Sequence, residues 1–443
     1  MKILILAAGS RGDVAPYTGL GVRLREAGHE VALAAPASFA GLVADSGLEF
    51  RGLPADPRAP ARASGARGPD GDADGDADGK AHRAAGGGNT GLMRKASAFI
   101  QELGPGIADA AAAGADLLLL STATAPLGWH VAEALGVPSI GVYLQPVTPT
   151  GEFGPVVGGS RSLGRWGNRA AGRVSLRVVD RLHATAVADL RARLGLPPAG
   201  PRAVRLRQEA ANWPVLHGFS TVLVPRPRDW REGLEVVGNW WPHCPDDRQL
   251  PAELDDFLRS GPPPVFIGFG SMGAGEGERL SEVAVAALRK AKVRGVLQAG
   301  WAGLSTTGPS AAGPSAAELS TAGDDVLTVG DVPHSLLFPR TAAVVHHAGA
   351  GTAAAALRAG VPAIPVPVTA DQPFWAGRIA ALGAGTAPVP YKELTADRLA
   401  EAVQRAVEEP QYRRRAAEAA RRMEAEDGAA RAVKAIGRLP GTA

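Results

Sequence analysis

The 443-residue chain has one cysteine, Cys244, so no disulfide can form within it. That composition suits a reducing compartment, and the expectation is a cytoplasmic protein. No stretch approaches the ~18 consecutive apolar residues that a membrane-spanning helix needs. The opening MKILILAAGS has too short an apolar run for a signal peptide and ends in a glycine-rich turn. Neither sign of charge dominates: 47 Lys and Arg against 44 Asp and Glu leave a net charge of +3. Overall charge therefore makes no case for a nucleic-acid partner. There is no short-period internal repeat, which removes solenoids and propellers.

Hydrophobic residues make up 45% of the chain, enough for two buried cores, and the length fits two domains. The sequence predicts strands at Lys2–Ala8 and Val31–Ala35 around a helix at Val14–Ala27, with GSRGDVAPY as a loop. This is a βαβ start and implies a doubly wound parallel sheet. Further strands are expected at Asp116–Ser121, Pro138–Tyr143, Val222–Pro225 and Val236–Trp240, with a helix at Thr124–Leu135. Trp241–Pro264 carries six prolines and reads as a linker. A second β–Gly–α cycle opens at Val265–Gly270, followed by a helix from Glu278 and strands at Val293–Ala299 and Val326–Val329. The expected divisions are 1–242, a linker at 243–262, a second domain at 263–410, and helices at 411–443 that return to the first domain.

Two stretches stand apart. Residues 55–90 are Gly, Asp and Ala with little to bury, and read as a low-complexity loop. Their Asp-x-Asp-x-Asp-Gly spacing is that of a calcium loop, but the twelfth position of either register is Ala81 or Ala85 rather than glutamate. Arg161, Arg165, Arg169, Arg173, Arg177 and Arg181 repeat every four residues. A step of four drifts by about 40° on a helix, so they wind across roughly half its surface. A solvated helix face and a surface attracted to anionic lipid both fit.

The densest chemistry lies in DVPHSLLFPRTAAVVHHAGAGTAAAALRAGVPAIPVPVTADQPFW, residues 331–375. It predicts a strand at Ala342–Val345, a His pair, a glycine turn, a helix containing Ala353–Leu357, a second strand, and Asp371-Gln372 beyond it. Strand, glycine turn and helix together aim backbone N–H groups and a positive helix end at phosphate. His347 can donate a hydrogen bond to a phosphate oxygen. Gly349 and Gly351 permit close approach of the backbone. A tight turn that uses small residues only for packing is the plain alternative. Asp371 and Gln372 can bond sugar hydroxyls, beyond a strand end where such sheets hold ligands.

The spacing from His347 to Asp371 resembles the nucleotide-sugar signature of the GT-B glycosyltransferases. The HHAGAGT and DQPFW wording resembles the sterol 3-β-glucosyltransferases and their bacterial relatives. So do GSRGDVAP at Gly9–Pro16, the stretch Asn212–Trp230, and PPVFIGFGSM at Pro263–Met272. The resemblance covers both domains but not 55–90 or 303–323. It implies two facing Rossmann-like doubly wound domains with a cleft between them. It assigns the diphosphate to His347, Gly349, Ala350, Gly351 and Thr352, and the hexose hydroxyls to Asp371 and Gln372. Ser271 contacts a phosphate by the same resemblance, Val332 the base through its backbone, and His334 the nucleoside. The same resemblance implies that Ser10 and Gly12 face the donor phosphate and that Asp13 is the general base. The plant enzymes use a histidine in this loop, and this chain has none between Met1 and Gly28. A residue that merely caps the helix is the other reading of Asp13.

Three positions depart from the pattern. Ala348 replaces a glycine, acceptable where its φ is negative. Ala355 stands where the plant signature has a ribose-binding glutamate. Asp331 stands where it has the base-stacking tryptophan, a face that Trp301 could supply instead. The choice between UDP and dTDP therefore stays open. The reading is an inverting transferase that uses no metal or other cofactor and moves glucose from UDP-glucose to a sterol or similar apolar acceptor, with peripheral contact to anionic membrane. The alternative is a natural-product transferase that uses a dTDP- or UDP-sugar on a polyketide, terpenoid or glycopeptide. A non-catalytic lipid carrier on the same fold is a third possibility, opposed by the intact Asp13, His347 and Asp371.

Overall fold

The computed structural model describes residues 1–54, 88–157, 159, 161–270, 272, 275–300, 303–305, 320–321 and 325–438. Ser271, Trp301, the calcium-like run and most of 303–323 lie outside the described residues. The chain forms two compact units. The first comprises Met1–Val142 and Leu176–Trp213, the second Tyr143–Ser175 and Pro214–Ala443.

The first unit contains β1 (Lys2–Leu6), α1 (Arg11–Glu26), β2 (Glu30–Pro36), α2 (Ala40–Ala44), β3 (Glu49–Leu53), α3 (Gly88–Ala112), β4 (Leu117–Leu120) and α4 (Ala125–Leu135). β5 (Ser139–Tyr143) ends at the division between the units, and α5 (Gly164–Arg193) runs through it. α6 (Pro201–Ala210) completes the set. The strands run parallel in the order β3-β2-β1-β4-β5. Leu117, Leu118, Leu119 and Leu120 are all fully buried. A run of four apolar residues with no polar alternation is what a parallel strand covered on both faces requires. Each buried leucine is worth about 1.5–3 kcal/mol relative to exposure.

The second unit adds β6 (Val215–His217), β7 (Leu234–Val236), α7 (Ala252–Arg259), β8 (Val265–Gly268), α8 (Gly277–Ala291), β9 (Gly295–Gln298), β10 (Ser320–Thr321) and β11 (Val326–Val329). Then follow α9 (His334–Leu337), β12 (Ala343–His346), α10 (Ala350–Arg358), β13 (Ala363–Pro365), α11 (Gln372–Leu382), α12 (Ala396–Glu408), α13 (Pro410–Glu424) and α14 (Gly428–Ile436). Its sheet runs β10-β11-β9-β8-β12-β13, parallel except for β10. The core joins Val265, Ile267, Val345 and Ile364 from the strands to Leu280, Leu288, Leu399 and Val403 from α8 and α12. The C-terminal helices are tied to segment 221–240: Glu426 accepts from the Thr221 backbone N–H and hydroxyl, and Trp240 Nε1 donates to Gly428 O. Gly428 is required there, because a Cβ on it would lie 2.3 Å from Gly238 O.

Three expectations change. Val222–Val224 are buried, but the segment to Pro225 forms a turn rather than a strand, with the Leu223 and Val224 N–H groups both on Ser220 O. Pro225 and Pro227 have no N–H to give a ladder, so burial alone misleads there. Of Val236–Trp240, only Val236 belongs to a strand, because Gly238 turns the chain at φ +104. α1 starts at Arg11 rather than Val14, with Ser10 as an extended N-cap.

Candidate active site

Sheet order fixes where ligands can bind. In the second unit the strand order departs in opposite directions from β8 and β12, and the crevice outside their carboxyl ends is the topological switch point. Gly270 follows β8, and His347 follows β12 directly. A Cβ on Gly270 would lie 2.9 Å from His347 Cε1, and one on Gly349 would lie 2.5 Å from Nε2. The imidazole is thus lodged between two glycines, neither of which can carry a side chain without displacing it. His347 Nδ1 is buried and has no hydrogen-bond partner among the described residues. Burial lowers the pKa of His347 to about 4, so the ring is neutral at pH 7 and donates one N–H.

Gly349 is the extended N-cap of α10, and no side chain caps that end. The N–H groups of Ala350, Gly351 and Thr352 are first-turn donors with no carbonyl four residues back inside the helix. A helix end of this kind favours an anion through the macrodipole and the N–H groups together. His346 is buried behind it. Its Nδ1 accepts the Ala348 N–H at 3.0 Å, which leaves the proton on Nε2, and burial lowers its pKa to about 3.

Ala348 does not meet the condition set for it: its φ is +63. A non-glycine residue there carries strain of about 1–3 kcal/mol, and such strain collects at functional sites. Only four non-glycine residues among those described have positive φ: Asn212, Lys292, Ala348 and Ala370. Two of the four adjoin the predicted site, Ala348 next to His347 and Ala370 next to Asp371.

Asp371 is the N-cap of α11, and its Oδ2 accepts from Trp375 Nε1 at 2.8 Å. Gln372 Oε1 accepts the Val368 N–H at 2.8 Å and the Thr369 N–H at 3.0 Å. Gln372 was expected both to accept and to donate. With its oxygen committed to the backbone, the buried side chain has its NH₂ left as the donor, while the Asp371 carboxylate can only accept. Val332 is buried. His334 stacks on Phe338 at 4.3 Å and 13° and meets Phe266 edge-on.

In the first unit the same logic selects β1 and β4, where that sheet reverses order. Thr124 Oγ1 donates to Leu6 O at 2.9 Å and pins the two strand ends together. Asp13 sits beyond β1 as the third residue of α1, not as its N-cap. Its Oδ2 accepts the Ser10 N–H and the Ser10 hydroxyl, both at 2.8 Å, so capping and a chemical role fall on one carboxylate. Gly9, at φ +133, makes room, since a Cβ there would come within 2.6 Å of Asp13 Oδ2. Gly12 is exposed.

Sequence reading did not find several supporting residues. Asp229 accepts from Thr150 Oγ1, the Gly151 N–H and Arg169 Nη2, which hold its pKa near 2 against the opposing effect of burial. Arg378 lies 5.1 Å from the ring centres of both Phe153 and Phe374, one helical turn from Trp375. Trp375 and Asp229 were legible only as letters in matching segments.

Comparison with known proteins bears on the family and the fold. Residues 3–73 match the glycosyltransferase family 28 N-terminal domain, and residues 312–439 match the erythromycin biosynthesis protein CIII-like C-terminal domain. O-mycaminosyltylonolide 6-deoxyallosyltransferase of Streptomyces fradiae is 36% identical over 420 residues, 93% of this chain and 90% of that protein. Two sterol 3-beta-glucosyltransferases of Arabidopsis thaliana are 33% and 34% identical over 98% and 99% of this chain. The chain spans about two thirds of their length (65% and 68%), and 26% of the Debaryomyces hansenii sterol enzyme. Among solved structures, the glycosyltransferase of kitacinnamycin superposes with TM-score 0.69 at 20% identity, covering 99% of this chain and 98% of that one. The calicheamicin glycosyltransferase CalG4 gives 0.65 at 17%, covering 99% of each.

Two parallel-sheet Rossmann-like units, each with polar residues at its switch point, define a GT-B glycosyltransferase fold. The chain belongs to the glycosyltransferase family that includes the sterol 3-beta-glucosyltransferases and the macrolide deoxysugar transferase above.

Proposed function

We propose that the protein transfers glucose from UDP-glucose to a hydroxyl of a sterol or similar apolar acceptor, with inversion at the anomeric carbon and without a metal. The observation that carries this reading is the pairing of two recognition elements in one unit. A neutral His347 and the uncapped end of α10 suit a diphosphate. An accepting Asp371 and a donating Gln372 suit neighbouring sugar hydroxyls. In the reaction the acceptor oxygen attacks C1 as its proton passes to the Asp13 carboxylate. The C1–O bond to the diphosphate breaks, and the electron pair leaves on UDP. His347 and the first-turn N–H groups of α10 then stabilise the departing negative charge. The Ser10 bonds hold the Asp13 carboxylate in one orientation before reaction, and a positioned base contributes about 10²–10⁴-fold. Ser10, Gly12, Ser271, Trp301, Val332 and His334 complete the donor contacts in this reading. An apolar acceptor dissolved in a bilayer requires peripheral contact with membrane.

A second reading is supported by the 36% identity to the Streptomyces fradiae deoxyallosyltransferase over most of that protein. It is a natural-product transferase using a dTDP-deoxysugar. The test is a panel of sugar donors against sterols and macrolide aglycones, followed by mass spectrometry. Addition of one hexose to a sterol from UDP-glucose is expected. Exclusive use of a dTDP-deoxysugar would overturn the first reading in favour of the second.

A further inference from the structure

The α5 helix has an outer face that the transfer chemistry does not use. Between Arg161 and Arg207 the sequence places eleven arginines against two acids, Asp180 and Asp189. The structure divides them. Arg169 is paired with Asp229, Arg193 with Asp109 and Arg205 with Asp180; Arg191 and Arg207 are paired with Glu133. Arg161, Arg165, Arg173, Arg177 and Arg181 are exposed, and among the described residues none has a carboxylate within ion-pair distance. Beside them Trp166 is 86% exposed, Leu163 60%, Val178 57% and Val174 53%. The exposed side chains from Arg161 to Arg181 include no acid.

At 100° per residue, Trp166, Arg173, Val174, Arg177, Val178 and Arg181 share an arc of about 140°. A helix that merely faces water carries mixed charges on its outer surface. This one alternates arginine with large apolar groups. We propose that the outer face of α5 docks the protein on an anionic lipid bilayer, with Trp166 and Leu163 entering the headgroup layer and Arg173, Arg177 and Arg181 meeting lipid phosphates. Tryptophan prefers that layer because one edge of its ring is apolar and the other donates a hydrogen bond. Guanidinium groups bind phosphate oxygens in pairs and are weakly hydrated. The unpaired charges of Arg173, Arg177 and Arg181 extend along about 12 Å of the helix, counted at the helical rise. The docking chemistry stands apart from the acceptor assignment above, although a bilayer-resident acceptor would give it a purpose.

The experiment is co-sedimentation of the full chain with vesicles of phosphatidylcholine alone or mixed with phosphatidylserine, at low and high salt. The parent protein should sediment with the anionic vesicles at low salt, be released at high salt, and leave the neutral vesicles unbound. Each arginine at an anionic surface strengthens binding about fivefold, so Arg173→Gln, Arg177→Gln and Arg181→Gln together should weaken it roughly a hundredfold. Trp166→Ala should weaken it severalfold and leave the salt dependence intact. UDP binding and melting temperature should match the parent. If the triple variant does not fold, Trp166→Ala and the salt release of the parent carry the test. Absence of parent binding at low salt, equal binding to neutral vesicles, or a folded triple variant that binds like the parent would each overturn the proposal. Vesicle binding without sterol glucosylation in detergent would leave the docking face standing and remove the acceptor reading; the reverse result would do the opposite.

Discussion

Replacing Gly349 by alanine separates the phosphate contact from the rest of the fold. The backbone of Gly349 has φ −63 and ψ 147, which alanine adopts freely, so the change adds only a methyl group. That methyl would lie 2.5 Å from His347 Nε2 and 3.2 Å from Cδ2. The ring must move by about 1 Å to restore contact, a displacement that can cost about 10²-fold where a group must be positioned. A charge-assisted hydrogen bond to phosphate is worth about 1.5–3 kcal/mol, so UDP should bind roughly 10- to 150-fold more weakly. Stability should fall by no more than about 1 kcal/mol, the usual cost of an alanine N-cap. Gly351→Ala is the companion change. Nothing lies within 4 Å of its added Cβ, and alanine inside a helix is favoured by about 0.8–1.0 kcal/mol over glycine. It should raise the melting temperature and yet weaken UDP, because the phosphate needs the bare backbone. Calorimetric titration with UDP and thermal melts read both quantities. If Gly349→Ala binds UDP as the parent does, the reasoning about His347 and its two glycines is refuted.

Other outcomes follow from the same contacts. Asp13→Asn should keep UDP binding and the Ser10 cap, because an amide oxygen still accepts, while kcat falls about 10²–10⁴-fold; near-normal turnover removes Asp13 as base. His347→Ala should weaken UDP itself, whereas Asp371→Ala should weaken UDP-glucose and spare UDP; equal losses on both ligands would contradict the division of labour. Trp375→Phe removes the donor to Asp371 and should raise KM for UDP-glucose without changing UDP affinity. Acid should destabilise the protein early. His130 is held to about 4, and His217 and His346 to about 3, each chiefly by burial. These lie below the value near 6.5 of an unfolded histidine, so the unfolded chain binds more protons between those limits. Stability is therefore full above about pH 7 and is lost as pH falls toward 4, at about 4 kcal/mol per pH unit for the three together near pH 5. Urea midpoints unchanged between pH 7 and pH 5 would show that these rings are not buried and neutral.

Much of this architecture was readable in the letters because its determinants are local. Four leucines at 117–120 fit a strand buried on both faces, and β11 lies where Val326–Val329 predicts it. The run from His347 to Asp371 keeps the groups proposed for diphosphate and sugar within one helix–strand repeat. What escaped was set by contacts distant in sequence or by hydrogen bonding. Gly270 and His347 meet only because β8 and β12 are neighbours. The stretch Val222–Pro225, with its three buried apolar residues, looks like a strand until Ser220 O takes two of its N–H groups. Ala348 has a left-handed backbone that no alanine advertises, and the committed oxygen of Gln372 depends on how the 368–369 backbone turns.

The two compact units are interleaved along the chain, and this bears on how the protein is made. The five strands β1 to β5 are present once Tyr143 has been synthesised, but the segment that finishes the first unit comes only with residues 176–213. Trp213 Nε1 then reaches Ser139 O at 2.8 Å, and Arg191 Nη1 bonds His130 and Glu133. At about 5–20 residues per second, a ribosome needs several seconds to bridge that interval. Throughout it those strands lack the last helices of the unit, and Ser139 O and the His130–Glu133 pair lack Trp213 and Arg191. The time between Tyr143 and Trp213 is therefore the window in which a chaperone would be needed, and substitutions at Arg191 or Trp213 should reduce the yield of folded enzyme more than its activity once folded.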